Sequence, residues 1–374
     1  MNDSETVFFI WHQNTIVDHD GVSKKIANQC AALSESGVVL RLVHVRGLNV
    51  TELLWHESGS FRKIDKVNLI GLLTKFWYGT ATFYYRYTPG HPFSLLMSIV
   101  AYATAQPLAF EFASPAKFST PSSLARFSKR LIQTISVRLL RKSNSRYFGA
   151  TLECVPQEIR NKQAFAIGNA YSVAPLTMAE ITQATRLRKE YLEQCEVHAL
   201  YMASNLSNFS FDHIRQSLKN VPGTIYVHVA GSTEAAIQSS STPRFKILQH
   251  GFCQEESLKK LALNCHIGLG NYDNRQRGMS QTANLKIRDY IAFGLPVIMW
   301  DYDQQLEEFE ALDSFVLKAI RGTEVREKDA ISLLRVSCND YLLSTMLGRY
   351  SKAFSWHALM QTTVVPNLAG RLQS

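Results

Sequence analysis

Short apolar runs rich in β-branched and aromatic residues alternate along this chain with longer stretches of helical period. An apolar run at residues 7–11 is followed by an amphipathic stretch at 22–35 and another run at 38–45, a spacing that predicts a βαβ unit. The rhythm continues with a strand at 82–87, a helix at 93–105, a strand at 108–112, a helix at 124–140 and a strand near 146–151. Connections of this length are crossovers rather than hairpins, so an all-parallel sheet is expected. The aromatics of 83–87 alternate as a strand's side chains do, which points to core packing rather than base stacking. After a strand at 164–167 the pattern weakens through Pro175 and a polar helix. It resumes with strands at 197–203, 225–230, 245–248, 266–269 and 297–300, interleaved with helices at 254–263 and 285–293. Two successive α/β domains are expected, residues 1–170 and 171–355.

The length of 374 residues exceeds what one hydrophobic core organises, and a composition 46% apolar and 19% charged is that of a globular protein. No leader or membrane span is read: the first apolar run is short and follows Asp3 and Glu5, and the longest, 93–112, carries Gln106, Pro107 and Glu111. Six cysteines are scattered without a C-x-x-C pair or a histidine at ligand spacing, which argues against a zinc site or disulfide framework and fits a reducing cytoplasm. The net charge of +9 favours an anionic partner. No helix-turn-helix, RNP or zinc pattern accompanies it, so nucleic acid is not expected. Arg126, Lys129, Arg130, Arg138, Arg141, Lys142 and Arg146 form a basic stretch without an acidic residue, interleaved with apolar residues at helical spacing. Two readings stay open: a helix lying on anionic lipid at the inner membrane face, or a core-packed helix with a positive outer face.

Open parallel sheets bind ligands beyond the carboxyl ends of their strands, so the loops there hold the candidate chemistry. In the first loop, Asp20, Gly21, Val22 and Ser23 open a helix whose free amides attract phosphate or a polar sugar; a plain turn with Asp20 as N-cap is the alternative. At residues 275–298 a loop enters a helix that ends at Gly294, with Pro296 beginning a buried strand. Lys286 and Asp289 share a face near the start of that helix, where a lysine suits a diphosphate and a carboxylate suits ribose hydroxyls; Arg288 points elsewhere, and a surface ion pair is the alternative. Asp18-His19-Asp20 and Asp301-Tyr302-Asp303 match the D-x-D pattern that holds a metal on a diphosphate, but neither stands where that chemistry needs it, so no metal is expected. Glu111 ends a buried strand, positioned for acceptor hydroxyls or acid/base work, or for capping a neighbouring helix. Tyr87 ends another strand, and two readings stay open for it: core packing with the other aromatics of 83–87, or contact with a ligand beyond the strand end.

The segment from Asn284 to Ile298 resembles the "(S/P)LK…(E/D)YhAxGhPVI" run of group-1, family-4-like glycosyltransferases. Asp20-Gly21-Val22-Ser23 is similar to that family's N-terminal Gly-Gly-x-(S/A) loop, Gly168-Asn169 to its interdomain segment, and Leu200 to Leu206 to the first strand and loop of its second domain. His250-Gly251-Phe252 resembles its "hG" turn, and Ser355-Trp356 the start of its returning C-terminal helix. The resemblance spans nearly the whole chain through loose motifs. It implies the GT-B fold, with two Rossmann-like domains whose parallel sheets face across a cleft, and a helix at 356–374 crossing back to the first. It further implies a nucleotide-sugar donor with Lys286 at the diphosphate, Asp289 at the ribose, and His250 and Phe252 near the base. The acceptor implied is a glycan or lipid-linked saccharide, as in surface-polysaccharide assembly, and the chemistry a retaining transfer without metal or other cofactor.

There are departures. The paired glycines are reduced to one, Gln281 stands in place of the first glutamate, and the loop holding Asn205 carries no cation, a charge Arg275 or Arg277 would have to supply. A hexosyltransferase-like enzyme is the leading expectation. The alternative is a catalytically silent GT-B protein that binds a glycan or a partner; an epimerase would need a carboxylate and histidine cluster that the sequence does not offer.

Overall fold

The computed structural model describes residues 6–12, 21–36, 39–46, 49–55, 61–66, 68–78, 81–104, 108–113, 124–203, 211–231, 241–270, 280–281, 283–309, 315–319 and 324–368. The chain forms two compact units, one of residues 1–168 with 356–374 and one of residues 169–355.

The first unit runs β1 (Thr6–His12), α1 (Gly21–Glu35), β2 (Val39–Arg46), β3 (Asn49–Trp55), β4 (Phe61–Lys66), α2 (Leu69–Trp77), β5 (Ala81–Tyr87), α3 (Pro92–Thr104), β6 (Ala109–Phe112), α4 (Leu124–Lys142), β7 (Arg146–Gly149), α5 (Gln157–Arg160) and β8 (Ala164–Ala166). Its eight strands are ordered β4-β3-β2-β1-β5-β6-β7-β8. The pairs from β2 through β8 are parallel, as their crossover helices require. The expectation of an all-parallel sheet fails at the other edge, where β3 pairs antiparallel with β2 and β4 with β3. Two residues separate β2 from β3, a hairpin length, and Arg41 donates across that pair to Glu52 at 2.7 Å. The core is aromatic: Phe9 stacks on Tyr84 at 5.0 Å and Phe8 on Phe83 at 5.3 Å, from neighbouring strands.

The second unit runs α6 (Met178–Glu193), β9 (Glu196–Ala203), α7 (Phe211–Ser217), β10 (Thr224–Gly231), β11 (Phe245–Gly251), α8 (Glu255–Leu263), β12 (Ile267–Leu269), α9 (Leu285–Ala292), β13 (Val297–Met299), α10 (Gln304–Glu307), β14 (Val316–Lys318), α11 (Glu327–Ser337) and α12 (Asp340–Ala353). Its six strands, ordered β11-β10-β9-β12-β13-β14, are parallel throughout. Thr177 and Glu180 start α6 as a reciprocal capping box. Gly294 ends α9 at φ +63°, and Gly268 lets β12 lie against Tyr290, whose ring a Cβ there would meet at 2.5 Å. The chain then returns to the first unit as α13 (Trp356–Leu359), a π-helical turn at Met360–Val364 and α14 (Val365–Leu368), where His357 bonds Glu35 of α1 at 3.0 Å.

Arg188 of α6 is fully buried, and its guanidinium donates to the carbonyls of Gly294 at 2.8 Å, Ser337 at 3.0 Å, Ala262 at 3.3 Å and Phe293 at 3.4 Å. One cation thus caps the carboxyl ends of α8, α9 and α11, where unsatisfied carbonyls and helix dipoles concentrate negative potential. Burial lowers its pKa to about 10. All six cysteines are unpaired. Among the described residues no helix is long and apolar enough to cross a membrane.

Candidate functional site

At the carboxyl end of the second unit's sheet, α9 is pinned to the end of β9 by two bonds. The Tyr290 hydroxyl accepts the Met202 N–H at 2.6 Å, and Lys286, one turn earlier on the same face, donates to the Met202 carbonyl at 3.1 Å. The ammonium lies 4.2 Å from the centroid of the Tyr201 ring, a cation–π contact. Lys286 is therefore held at the first turn of α9, beside the amides at the start of that helix.

Asp289 is turned toward another partner. It is 7% exposed, and Ser172 donates to it through its backbone N–H at 2.7 Å and its hydroxyl at 2.8 and 3.0 Å. These bonds clamp the segment after Gly168 onto α9 and fix the carboxylate's orientation. Arg288, expected to point away from the face that Lys286 and Asp289 share, is fully buried. It grips Asp303 with both terminal nitrogens at 2.5 and 2.9 Å and donates to the Asn169 carbonyl at 3.2 Å and to Gln305 at 2.6 Å. The Asp303 carboxylate also caps α10, so the Asp301-Tyr302-Asp303 motif does not offer two outward carboxylates to a cation. Among the described residues no group of three or more His, Cys, Asp or Glu stands at metal-binding geometry.

Gln281 forms an isolated parallel bridge with Tyr302 and is half-buried. His250 stands exposed at the end of β11 and Phe252 just beyond it at 66% exposure. In the first unit Gly21 opens α1, Val22 is 40% exposed and Ser23 is buried. Asp20, Asn205, Arg275, Arg277 and Asp18-His19 lie outside the described residues.

Two expectations are corrected. Tyr87 is buried, with its hydroxyl donating to Gln133 of α4 at 2.6 Å, so it closes the α3–α4 interior rather than meeting an acceptor; burial pushes its pKa up to about 12. Glu111 neither caps a helix nor offers a proton. It is fully buried, ion-paired to Lys25 of α1 at 3.1 Å and Arg86 of β5 at 3.7 Å, and it accepts from Tyr84 at 2.9 Å and Gln29 at 3.2 Å. Burial alone would raise its pKa, but Lys25 and Arg86 outweigh that and hold it at about 2. At neutral pH it is a fixed anion and too weak a base to take a proton.

The basic helix α4 buries Gln133, Ser136, Val137 and Leu140 on one side. Leu124, Phe127, Leu131 and Ile135, at 84, 55, 49 and 38% exposure, line up on the opposite side. The core-packed reading accounts for the first side only.

Sequence reasoning missed Lys25, Arg86, Arg188 and the Arg288–Asp303 pair. One signal was available: Arg288 and Asp289 interrupt the otherwise apolar run 287–293, where a charge is tolerated only if paired.

No protein-family model matches the sequence, and no curated protein is similar to it in sequence. Solved structures do match over the whole chain. Sucrose-phosphate synthase from Thermosynechococcus elongatus has a TM-score of 0.58 at 12% identity, covering 99% of both chains. HepE from Anabaena in complex with UDP has a TM-score of 0.55 at 12% identity, covering 98% of this chain and 99% of that one. A trehalose 6-phosphate synthase from Burkholderia multivorans has a TM-score of 0.53 at 9% identity, covering 99% of both. With its two α/β units and their largely parallel sheets, the chain has the GT-B fold of these proteins.

Proposed function

We propose that the protein is a glycosyltransferase that takes sugar from a nucleotide-sugar donor held on the second unit and passes it to a saccharide or lipid-linked acceptor. The observation that carries this reading is the placement of Lys286, held by Met202 and Tyr201 at the first turn of α9 and at the carboxyl end of a parallel sheet. The cation and the helix amides there suit a diphosphate and stabilise it as negative charge develops on departure. Asp289, its orientation set by Ser172, is assigned to the ribose hydroxyls, and His250 and Phe252 to the base. The UDP complex of HepE, a protein of the same fold, supports a nucleoside diphosphate as the ligand class. Retention of configuration and independence of metal follow from the family resemblance and belong to the same proposal. The acceptor side of the chemistry draws no acid or base from Glu111, whose charge is spent on Lys25 and Arg86.

The exposed stripe of α4 supports a peripheral membrane role. Four apolar side chains face away from the core on a helix whose cations suit anionic headgroups, which is the arrangement of an interfacial helix.

The test is calorimetric and thermal-shift titration with UDP, GDP, ADP and their sugars. One nucleotide should bind at micromolar Kd. Lys286→Ala should weaken it roughly 10- to 100-fold, the loss of one charge-assisted hydrogen bond of about 1.5–3 kcal/mol. Absence of binding by every nucleotide to folded protein would replace this reading with a silent GT-B module that binds a glycan or a partner.

A further inference from the structure

On one face of the second unit's sheet, three histidines from adjacent strands form a continuous hydrogen-bonded row. His198 Nδ1 of β9 lies 2.8 Å from His228 Nε2 of β10, and His228 Nδ1 lies 2.9 Å from His250 Nε2 of β11. The rings stack with centroids 5.1 Å apart at both steps. The inner end of the row is anchored: His198 Nε2 faces Glu196 Oε2 at 3.4 Å, while Glu196 Oε1 accepts the Tyr226 hydroxyl at 3.0 Å. His266, stacked beside His198, is outside the row, because its Nδ1 accepts the His198 backbone N–H and its Nε2 donates to the Arg188 carbonyl.

A neutral imidazole carries one N–H and one lone pair, and a carboxylate only accepts, so the anchor sets the direction of every bond in the row. His198 Nε2–H donates to Glu196, His228 Nε2–H donates to His198 Nδ1, and His250 Nε2–H donates to His228 Nδ1. The opposite direction would set the His198 lone pair against that of Glu196. Desolvation lowers the pKa of all three rings, that of His228 to about 3 with its two imidazole neighbours adding to the effect, which favours the neutral forms. His250 Nδ1 is left with a lone pair.

His250 lines a cavity of about 520 Å³ together with Phe252, Gln254, Ser257, Lys260 and Asn264. With Nε2 taken by His228, Nδ1 is the ring nitrogen that meets a ligand there. Phe252 presents an exposed ring for a flat heterocycle, and the Gln254 amide offers a donor to a carbonyl. We propose that the Glu196–His198–His228–His250 row presets His250 Nδ1 as an acceptor that selects a base with an imide N–H, of the uracil kind, over one with a bare ring nitrogen at that edge, of the cytosine kind. This rests on the reading of the second unit as the nucleotide-binding one. It makes Glu196, on the far side of two imidazoles, a positioning residue for base choice. A cytosine ring nitrogen would bring two lone pairs face to face and leave both without a donor.

Two measurements on the full chain test it. Long-range ¹H–¹⁵N NMR of ¹⁵N-histidine-labelled protein should find His250 protonated at Nε2 and bare at Nδ1. Titration should show UDP binding at least about tenfold tighter than CDP, a preference that falls to within about threefold in both His250→Ala and Glu196→Gln. The glutamine can donate to His198 and so releases the direction of the row. A His250 protonated at Nδ1 in the wild type, or a UDP preference undiminished in Glu196→Gln, overturns the proposal. Equal binding of UDP and CDP by the wild type, or binding of GDP or ADP with neither of them, overturns base selection while leaving the donor reading standing; binding of no nucleotide at all overturns both.

Discussion

Replacing Glu111 with glutamine tests whether the best-placed carboxylate of the first unit is structural. Its pKa of about 2, against an ordinary 4.5, corresponds by linkage to ~3 kcal/mol favouring the folded state. Because the folded value lies below the unfolded one, that stabilisation is complete above about pH 4.5 and drains away as the pH falls toward 2. Glu111→Gln removes it and leaves Lys25 and Arg86, at 5 and 11% side-chain exposure, as buried cations without their counter-charge. The expected loss is about 3–5 kcal/mol. Urea denaturation followed by tryptophan fluorescence is a suitable assay, because four of the five tryptophans, all but Trp300, belong to the first unit. The wild type should lose stability steeply between pH 4.5 and pH 2, and the variant should start lower and fall less. Adding Lys25→Met should recover part of the loss, since a buried ion pair removed whole costs less than one left half-made. Coincident urea midpoints for wild type and Glu111→Gln, with the same acid limb, would refute the reasoning.

Arg188→Met keeps most of the side-chain volume but strands the carbonyls of three helix ends, so the second unit should lose about 3–5 kcal/mol, read from its thermal or urea transition. Arg188→Lys should lie between, retaining the charge while reaching fewer carbonyls; a Met variant as stable as wild type would refute the capping role. For α4, the protein should float with vesicles containing phosphatidylglycerol, and Phe127→Ser with Leu131→Ser should cut that binding about tenfold or more without lowering the melting temperature. Unchanged flotation in the double variant would remove the membrane reading.

The elements with a clear local period were legible from the sequence. The 3.6-residue repeat of 22–35 became α1, the apolar runs near 7–11, 82–87 and 197–203 became β1, β5 and β9, and Gly294 with Pro296 marked the end of α9 because a left-handed residue must stand there. Two α/β domains follow from that rhythm, since long crossovers between apolar runs leave parallel sheets as the packing solution, while the GT-B arrangement was implied by the motif resemblance and not by the period. Two strands at the β3–β4 edge escaped because alternation fixes a strand's faces but not its partner or direction. The fate of the charges was decided only by tertiary structure. Lys25 and Glu111 meet 86 residues apart in the chain, and the histidine row draws one ring from each of three strands. Local period says whether a position faces inward. Whether a buried charge or imidazole there finds a partner depends on what the other elements bring within about 3 Å of it, and that distance exists only once the sheets and helices have packed.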